Sequence, residues 1–305
     1  MNLMMRIAGG ALAFGLLSGA GVATAQPMGP PGDLPRWSTG VEALAARQQA
    51  ADIDDGGDVA VTRYFAGVRV ARILRNGTSL GLSFGAGGAD YDFGGNAPGL
   101  WGDVEDRRIS LSLRTQLSDR ASLIVAPSLR WSAERGADMD DARTWGGFGA
   151  VFWRLSDTFT IGPGIGVFTQ LEQDRQVFPF LAIDWDITPR LNLSTGQGVG
   201  ATQGPGLSIS YGLTDAMRIG IAGRIESAEF RLDDDGPAPG GVGAQDGFPL
   251  VATFSYQPNP GVSASAFAGM EYGGELTLRD AQGRLVERSD YDPAPVFGGQ
   301  VSLRF

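Results

Sequence analysis

No lysine, histidine or cysteine occurs in the 305 residues, so all 24 Lys-plus-Arg positions are arginine. Without histidine there is no Ser-His-Asp triad, no Cys-His pair and no imidazole metal ligand. Without lysine there is no Schiff-base amine and no P-loop phosphate-binding amine. Without cysteine there is no disulfide, thiolate nucleophile, zinc knuckle or lipoprotein anchor. Basic charge is scarce as well: 34 acids give a formal charge of −10, and the pI is near 4.6. Phosphate contacts need a basic patch, so no nucleic-acid partner is expected. Glycine, by contrast, is abundant at 47 residues, about twice the usual share of roughly 7%.

The first 25 residues carry the marks of a secretory signal peptide. Arg6 is the only charge before Asp33, Ile7 to Val22 is rich in Ala, Leu and Gly, and Ala23-Thr24-Ala25 is a small-x-small cleavage site. The stretch 26–36 is a Pro- and Gly-rich lead too irregular to join a sheet. After that point no stretch approaches the roughly 18 uninterrupted apolar residues of a membrane-spanning helix.

The body of the chain alternates with period two. Residues 107–117 place Ile109, Leu111, Leu113 and Leu117 on one face and Arg108, Ser110, Ser112, Arg114 and Gln116 on the other. Residues 121–132, 158–172, 176–187 and 207–214 repeat the pattern. Helical spacing is confined to the leader and, as an alternative, to Val41–Ala51. Fourteen segments emerge: 37–46, 59–74, 78–92, 105–117, 121–133, 143–155, 158–172, 176–188, 191–199, 206–213, 216–231, 247–257, 261–278 and 294–305.

Their connections alternate strictly between short and long. The short ones nearly repeat: LSDRASL at 117–123, LSDTFTI at 155–161, ITPRLNL at 187–193 and LTDAMRI at 213–219. Arg75-Asn76-Gly77 and Pro258-Asn259-Pro260-Gly261 do the same work with other turn residues. The long ones, at about 47–58, 93–104, 134–142, 200–205, 232–246 and 279–293 with a brief one at 173–175, are rich in Asp, Gly and Pro. A transmembrane barrel sorts its connections in this way, with tight turns at one rim and longer loops at the other. A Greek-key sandwich has no reason to. The fold expected is therefore all-β, a transmembrane antiparallel up-and-down barrel of about 14 strands, with 12 as the other count.

Residues 297–305 read FGGQVSLRF, with Phe297, Val301, Leu303 and Phe305 alternating. This resembles the carboxy-terminal assembly signal of Gram-negative outer-membrane barrels, and 37–305 resembles their architecture. More narrowly, VTRYFAGV, GLSFG and FPFLAIDWDITPRLNL resemble an uncharacterised barrel family known only as a domain of unknown function, which implies no activity. The resemblance implies outer-membrane lipid and lipopolysaccharide as surroundings. It also implies recognition of the last strand by the barrel-assembly machinery.

Only one face of each strand must then be apolar, which fits a mean hydropathy of −0.04. Aromatics fall where interface girdles belong. Trp153, Phe159, Trp185, Tyr211, Tyr256 and Phe305 lie near short turns, and Tyr91, Trp131, Trp145 and Tyr272 near long loops. The inward face should be polar and charged with both signs. Its lumen-lining candidates are Arg108, Arg114, Arg130, Arg154, Glu172, Asp184, Asp186, Arg218, Arg224, Glu226, Glu271 and Arg304. They would either line an aqueous channel or pair across it and narrow it.

The loops are acidic at Asp52, Asp54, Asp55, Asp58, Asp138, Asp140, Asp141 and Asp233 to Asp235. An EF-hand starting at Asp52 fails at Gly56 and at Arg63, where glutamate is needed. No metal or cofactor is expected. Asp184 and Asp186 share a face, as an acid-base pair would, yet many lumen carboxylates do, so no enzyme is expected. The function expected is a porin-like passive channel for ions or small solutes. The alternative is a non-conducting barrel that binds through its acidic loops.

Overall fold

Alternation resolves into sixteen extended segments in the computed structural model, which describes residues 36–54, 56–95, 99–195 and 206–305. The expected leader and most of the Pro/Gly-rich lead lie outside the described residues. In chain order the segments are β1 (Arg36–Asp52), β2 (Asp58–Ile73), β3 (Ser79–Gly94), β4 (Val104–Ser118), β5 (Ala121–Glu134) and β6 (Arg143–Ser156). Then come β7 (Phe159–Gln170), β8 (Gln173–Asp186), β9 (Leu191–Thr195), β10 (Gly206–Gly212) and β11 (Met217–Arg224). The last are β12 (Glu226–Arg231), β13 (Val242–Asn259), β14 (Val262–Arg279), β15 (Leu285–Tyr291) and β16 (Ala294–Arg304).

Two of these segments are extensions of others. Gly223 pairs with Leu250 and Glu226 with Gly247, so the ladder to β13 runs unbroken in register through Ile225. Likewise Gly274 pairs with Tyr291 on β15, and Glu271 with Ala294 on β16. The result is a closed antiparallel barrel of 14 strands. Its seam is the pairing of β1 with β16, where Gly40 meets Arg304 and Gln48 meets Val296. Closure gives every wall strand a partner on each side, as burying a sheet in hydrocarbon requires.

The repeated turn sequence has a local cause. In each copy the Ser or Thr hydroxyl accepts backbone N–H groups that the turn leaves without ladder partners. Ser118 Oγ accepts from Ala121 N at 3.1 Å, and Ser156 Oγ from Thr158 N at 3.3 Å. Thr188 Oγ1 accepts from Leu191 N at 3.0 Å, and Thr214 Oγ1 from Met217 N at 3.0 Å. The β2–β3 turn instead needs Gly77 at φ 78° behind Asn76.

The outward face is apolar and exposed on every side: Val68, Leu82, Leu111, Val125, Ile165, Leu181, Ile209, Ile221, Phe254 and Val301 all stand open. Trp37, Trp153, Trp185, Tyr211, Tyr256 and Phe305 ring this belt at the short-turn rim. In water so much exposed apolar surface would be a liability; against lipid it is the required surface.

Three local expectations change. Val41–Ala51 is strand throughout, alternating faces up to Gln48, where a register shift before Ala51 interrupts the pattern, so the helical alternative falls. The segment 279–293 is not an irregular loop: β15 continues the ladder on β14, leaving a tight turn at 280–284. Tyr91 belongs to no girdle, because its parity on β3 turns it inward and it is buried.

Candidate functional site: the lumen

The inner wall changes character along the barrel. At the long-loop end, the β12–β13 hairpin leaves the wall and crosses the lumen, so that Arg231 pairs with Ala133 on β5. It packs on both faces. On one, Phe230 is 1% exposed and lies 5.1 Å from the Trp101 ring, in a cluster with Val59, Val61, Tyr91, Leu276 and Leu278. On the other, Glu229 Oε2 accepts from Leu171 N at 3.1 Å, and Arg231 Nη2 donates to Glu172 Oε1 at 2.7 Å and to the Asp141 carbonyl at 3.1 Å. Glu172 therefore sits in the β7–β8 turn at the rim, at φ 55°, rather than on the wall. A residue in a two-residue turn has left the alternation that placed it.

Beneath this cap one amide ties the hairpin to the wall. Gln245 Oε1 accepts from Arg63 Nη2 at 2.6 Å and from the Tyr91 hydroxyl at 2.9 Å. Its Nε2 donates to Gln48 Oε1 at 3.1 Å and to the Tyr291 hydroxyl at 2.8 Å. Tyr291 passes its own proton on to Glu271 Oε1 at 2.6 Å. Every donor and acceptor of Gln245 is used. Outward of Tyr91 on its strand are Asp90 and Asp92, which set this layer above the hydrocarbon. Burial pushes the Tyr91 phenol up to about 12, so it remains a donor.

The candidate lumen charges separate into three groups. Asp106 on β4 pairs with Arg108 at 3.5 Å and with Arg130, and Arg108 also lies over the Phe65 ring at 5.7 Å. Arg224 and Glu226 pair at 3.5 Å on the flank of the Ile225 break, and Glu271 is buried inside the Gln245 network. The rest gather at the short-turn end. There Arg154 Nη2 donates to the Asp119 carbonyl at 2.9 Å, and Arg218 Nε to Ser210 Oγ at 3.3 Å. Asn192 Nδ2 bridges Asp184 and Asp186 at 2.8 and 3.0 Å. Arg304 and Arg69 both pair with Gly40, which has no side chain to separate them, and Arg114 on β4 pairs with Ser79 on the adjacent β3.

Sequence reasoning missed the inward Arg63, Arg69, Tyr91, Gln245 and Tyr291. It also missed a set of inward phenylalanines, Phe65, Phe148, Phe152, Phe178 and Phe180. The parity of β2 would have found Arg63, Phe65 and Arg69 together, since all share the face of Val61. The wall between the cap and the charged end is thus substantially apolar, not uniformly polar.

No family model matches the chain, and no curated protein matches it. Solved structures do. An outer-membrane channel from Pseudomonas putida F1 is similar at a TM-score of 0.49 and 12% identity, covering 90% of this chain and 96% of that one. A FadL homologue of Pseudomonas aeruginosa gives 0.45 and 15%, covering 88% and 89%. The Pseudomonas putida toluene transporter TodX gives 0.44 and 9%, covering 97% and 95%.

Proposed function

We propose that this chain is a passive passage for small solutes across the outer membrane of a Gram-negative bacterium, described here with its outer mouth shut. The observation that carries this is the nature of the closure. The β12–β13 hairpin, continuing the ladder past Ile225, lies across the outer end and bridges to β5 at Ala133. Below it, the inward side chains of Arg69, Arg114, Phe148, Phe180 and Arg218 stay only half-buried. A barrel of about 14 strands is wider than its own side chains fill, since about eight strands already suffice for a packed interior. The apolar belt would meet lipid and lipopolysaccharide. Phe297, Val301, Leu303 and Phe305, all outward and exposed, would be the surface read by the assembly machinery. No step of this function needs an enzyme's chemistry.

The test is planar-bilayer conductance. The full chain is compared with a variant in which Glu226–Asp246 is replaced by an Asn-Gly turn joining Ile225 to Gly247. The register of β11 on β13 is kept. We expect rare, small events from the full chain and stable, larger steps from the variant. A variant that is folded and silent would defeat the proposal, and would favour a non-conducting barrel that works through its outer loops.

A further inference from the structure

The charges of the inner wall are sorted. Toward the long-loop end guanidiniums meet carboxylates: Arg108 and Arg130 share Asp106, Arg224 has Glu226 and Arg231 has Glu172. At the short-turn end the balance differs by sector. Asp184 and Asp186 on β8 share their side of the barrel with Arg154 and Arg218. On the other side, β16, β1, β2 and β4 turn Arg304, Arg69 and Arg114 inward at this end against one acid, Glu42. Pairing within this group cannot cancel its excess of positive charge, and the terminal carboxylate of Phe305 leaves the sum positive. Arg69 lies within electrostatic reach of Arg304, and Arg114 within reach of Arg69. Like charges held this close repel, a cost that an arriving anion would relieve.

One point in the group has room. Gly40 faces inward and pairs with Arg304 on one side and with Arg69 on the other. A Cβ at Gly40 would meet only the Leu303 carbonyl oxygen, at 3.3 Å, so no side chain comes within 4 Å of that point. Three other inward glycines of this sector are covered: Glu42 and Phe65 lie on Gly67, Phe65 on Gly85, and Arg69 with Ser112 on Gly81. Arg69 Nη2 reaches Ser112 Oγ through a long bond of 3.4 Å, so turning back over Gly40 forfeits little. The inward neighbours include hydroxyls, Ser38 on β1 and Ser302 on β16, which can donate to an oxyanion. Arg304 is exposed at the rim, so the gap opens toward solvent at the short-turn end.

We propose that Gly40 is the floor of an oxyanion seat, in which Arg69 and Arg304 hold the carboxylate or phosphate group of a small soluble anion. The assignment rests on the passage proposed above and names the class of solute that its inner end prefers. Two guanidiniums offer paired N–H donors in the fork geometry that oxyanions match. A cation at the same point would meet net repulsion, with Glu42 as the one inward counter-charge of the sector.

Crystals of the detergent-folded full chain, soaked in sodium selenate, would show the seat by selenium anomalous scattering. We expect a peak over Gly40 between Arg69 and Arg304. It should be lost in Arg69→Gln/Arg304→Gln, which removes the charges, and in Gly40→Val, which keeps them and fills the gap. Heat-modifiable gel migration checks folding, and Gly40→Val decides alone should the double variant not fold. Sodium acetate or sodium phosphate in the soak should displace the peak, and which one does so separates carboxylate from phosphate solutes. No peak, a peak indifferent to the variants, or a peak displaced by neither anion overturns the seat. Reversal potentials in a KCl gradient, taken on the full chain and on the hairpin-shortened variant, separate the two proposals. Chloride preference that shifts toward zero in Arg69→Gln/Arg304→Gln supports both. A selenate peak with both chains silent keeps the seat and overturns the passage. Potassium preference, or chloride preference that the double variant leaves unshifted, keeps the passage and overturns the seat.

Discussion

Gln245 sets how firmly the hairpin holds. Its amide makes four hydrogen bonds in a buried layer, and each partner is on a different strand. Leucine in its place would strand the Arg63 guanidinium and leave the Tyr91 proton without an acceptor. Each unsatisfied buried group costs about 1–3 kcal/mol. Gln245→Leu should therefore lower the temperature at which the folded band disappears from gels and raise the frequency of conducting events. Unchanged values on both counts would mean that the apolar cap alone holds the hairpin. Glu229, on the hairpin above the last outward ring Phe248, adds a pH dependence. Burial pushes its carboxyl above the ordinary range, while the Leu171 N–H and Arg279 pull it back. The closed hairpin thus favours the protonated form. Below the ordinary value of about 4.3 the closed and open states are both protonated, and the closed state keeps its full advantage. That advantage is lost as pH rises through the raised value. Conducting events should be rarer in mildly acid than in neutral buffer, and Glu229→Gln should flatten the difference. Bilayer recordings at stepped pH decide it, and an equal dependence in the variant would remove Glu229 from the account.

The two faces of a strand answer to different solvents, and β7 and β8 show it most sharply. Ile165 and Leu181 stand exposed at about half of their surface toward lipid, while Gly166 and Phe180 face the lumen. Ile165→Arg should cost about 2–4 kcal/mol if the position lies near the midplane, falling toward zero near an interface. Urea titration of the reconstituted barrel measures this. A cost near zero would place β7 differently in the bilayer. The same two strands mark where the sequence is legible. On β4 the alternation is clean, Ile109, Leu111 and Leu113 against Arg108, Ser110 and Arg114, and the faces follow at once. On β8 both faces are apolar, and VFPFLAI blurs into one continuous run. The sequence signal for an apolar lumen was present in the alternating glycines of IGPGIG, which only make sense beside rings on the adjoining strands. Strand number, turn positions and the outward belt were readable because each depends on neighbours in sequence. The inward fold of β12–β13 was not, because its anchors Arg63 and Gln245 are 182 residues apart.

At the scale of the molecule the barrel depends on its seam. Until β1 and β16 join, both are edge strands with unpaired backbone groups, which lipid cannot satisfy. The seam ends on Phe305: its N–H donates to the Thr39 carbonyl at 2.8 Å, and its carbonyl accepts from Thr39 N at 3.0 Å. The ring itself is 75% exposed and continues the outward series of Phe297, Val301 and Leu303. Two functions are thus separable at one residue. Deleting Phe305 removes both backbone bonds and the interfacial ring, whereas Phe305→Ala keeps the bonds and loses only the ring. Each net backbone bond contributes about 0.5–1.5 kcal/mol. Deletion should therefore lower the urea midpoint of the purified barrel, and Phe305→Ala should leave it close to that of the parent. In cells the two variants should behave alike if the assembly machinery reads the ring, both accumulating less folded barrel in the membrane. Phe305→Ala with normal membrane levels would show that the ring is not the signal. An unchanged urea midpoint for the deletion would show that the seam is secured further up, by the ladder from Gly40 to Gln48.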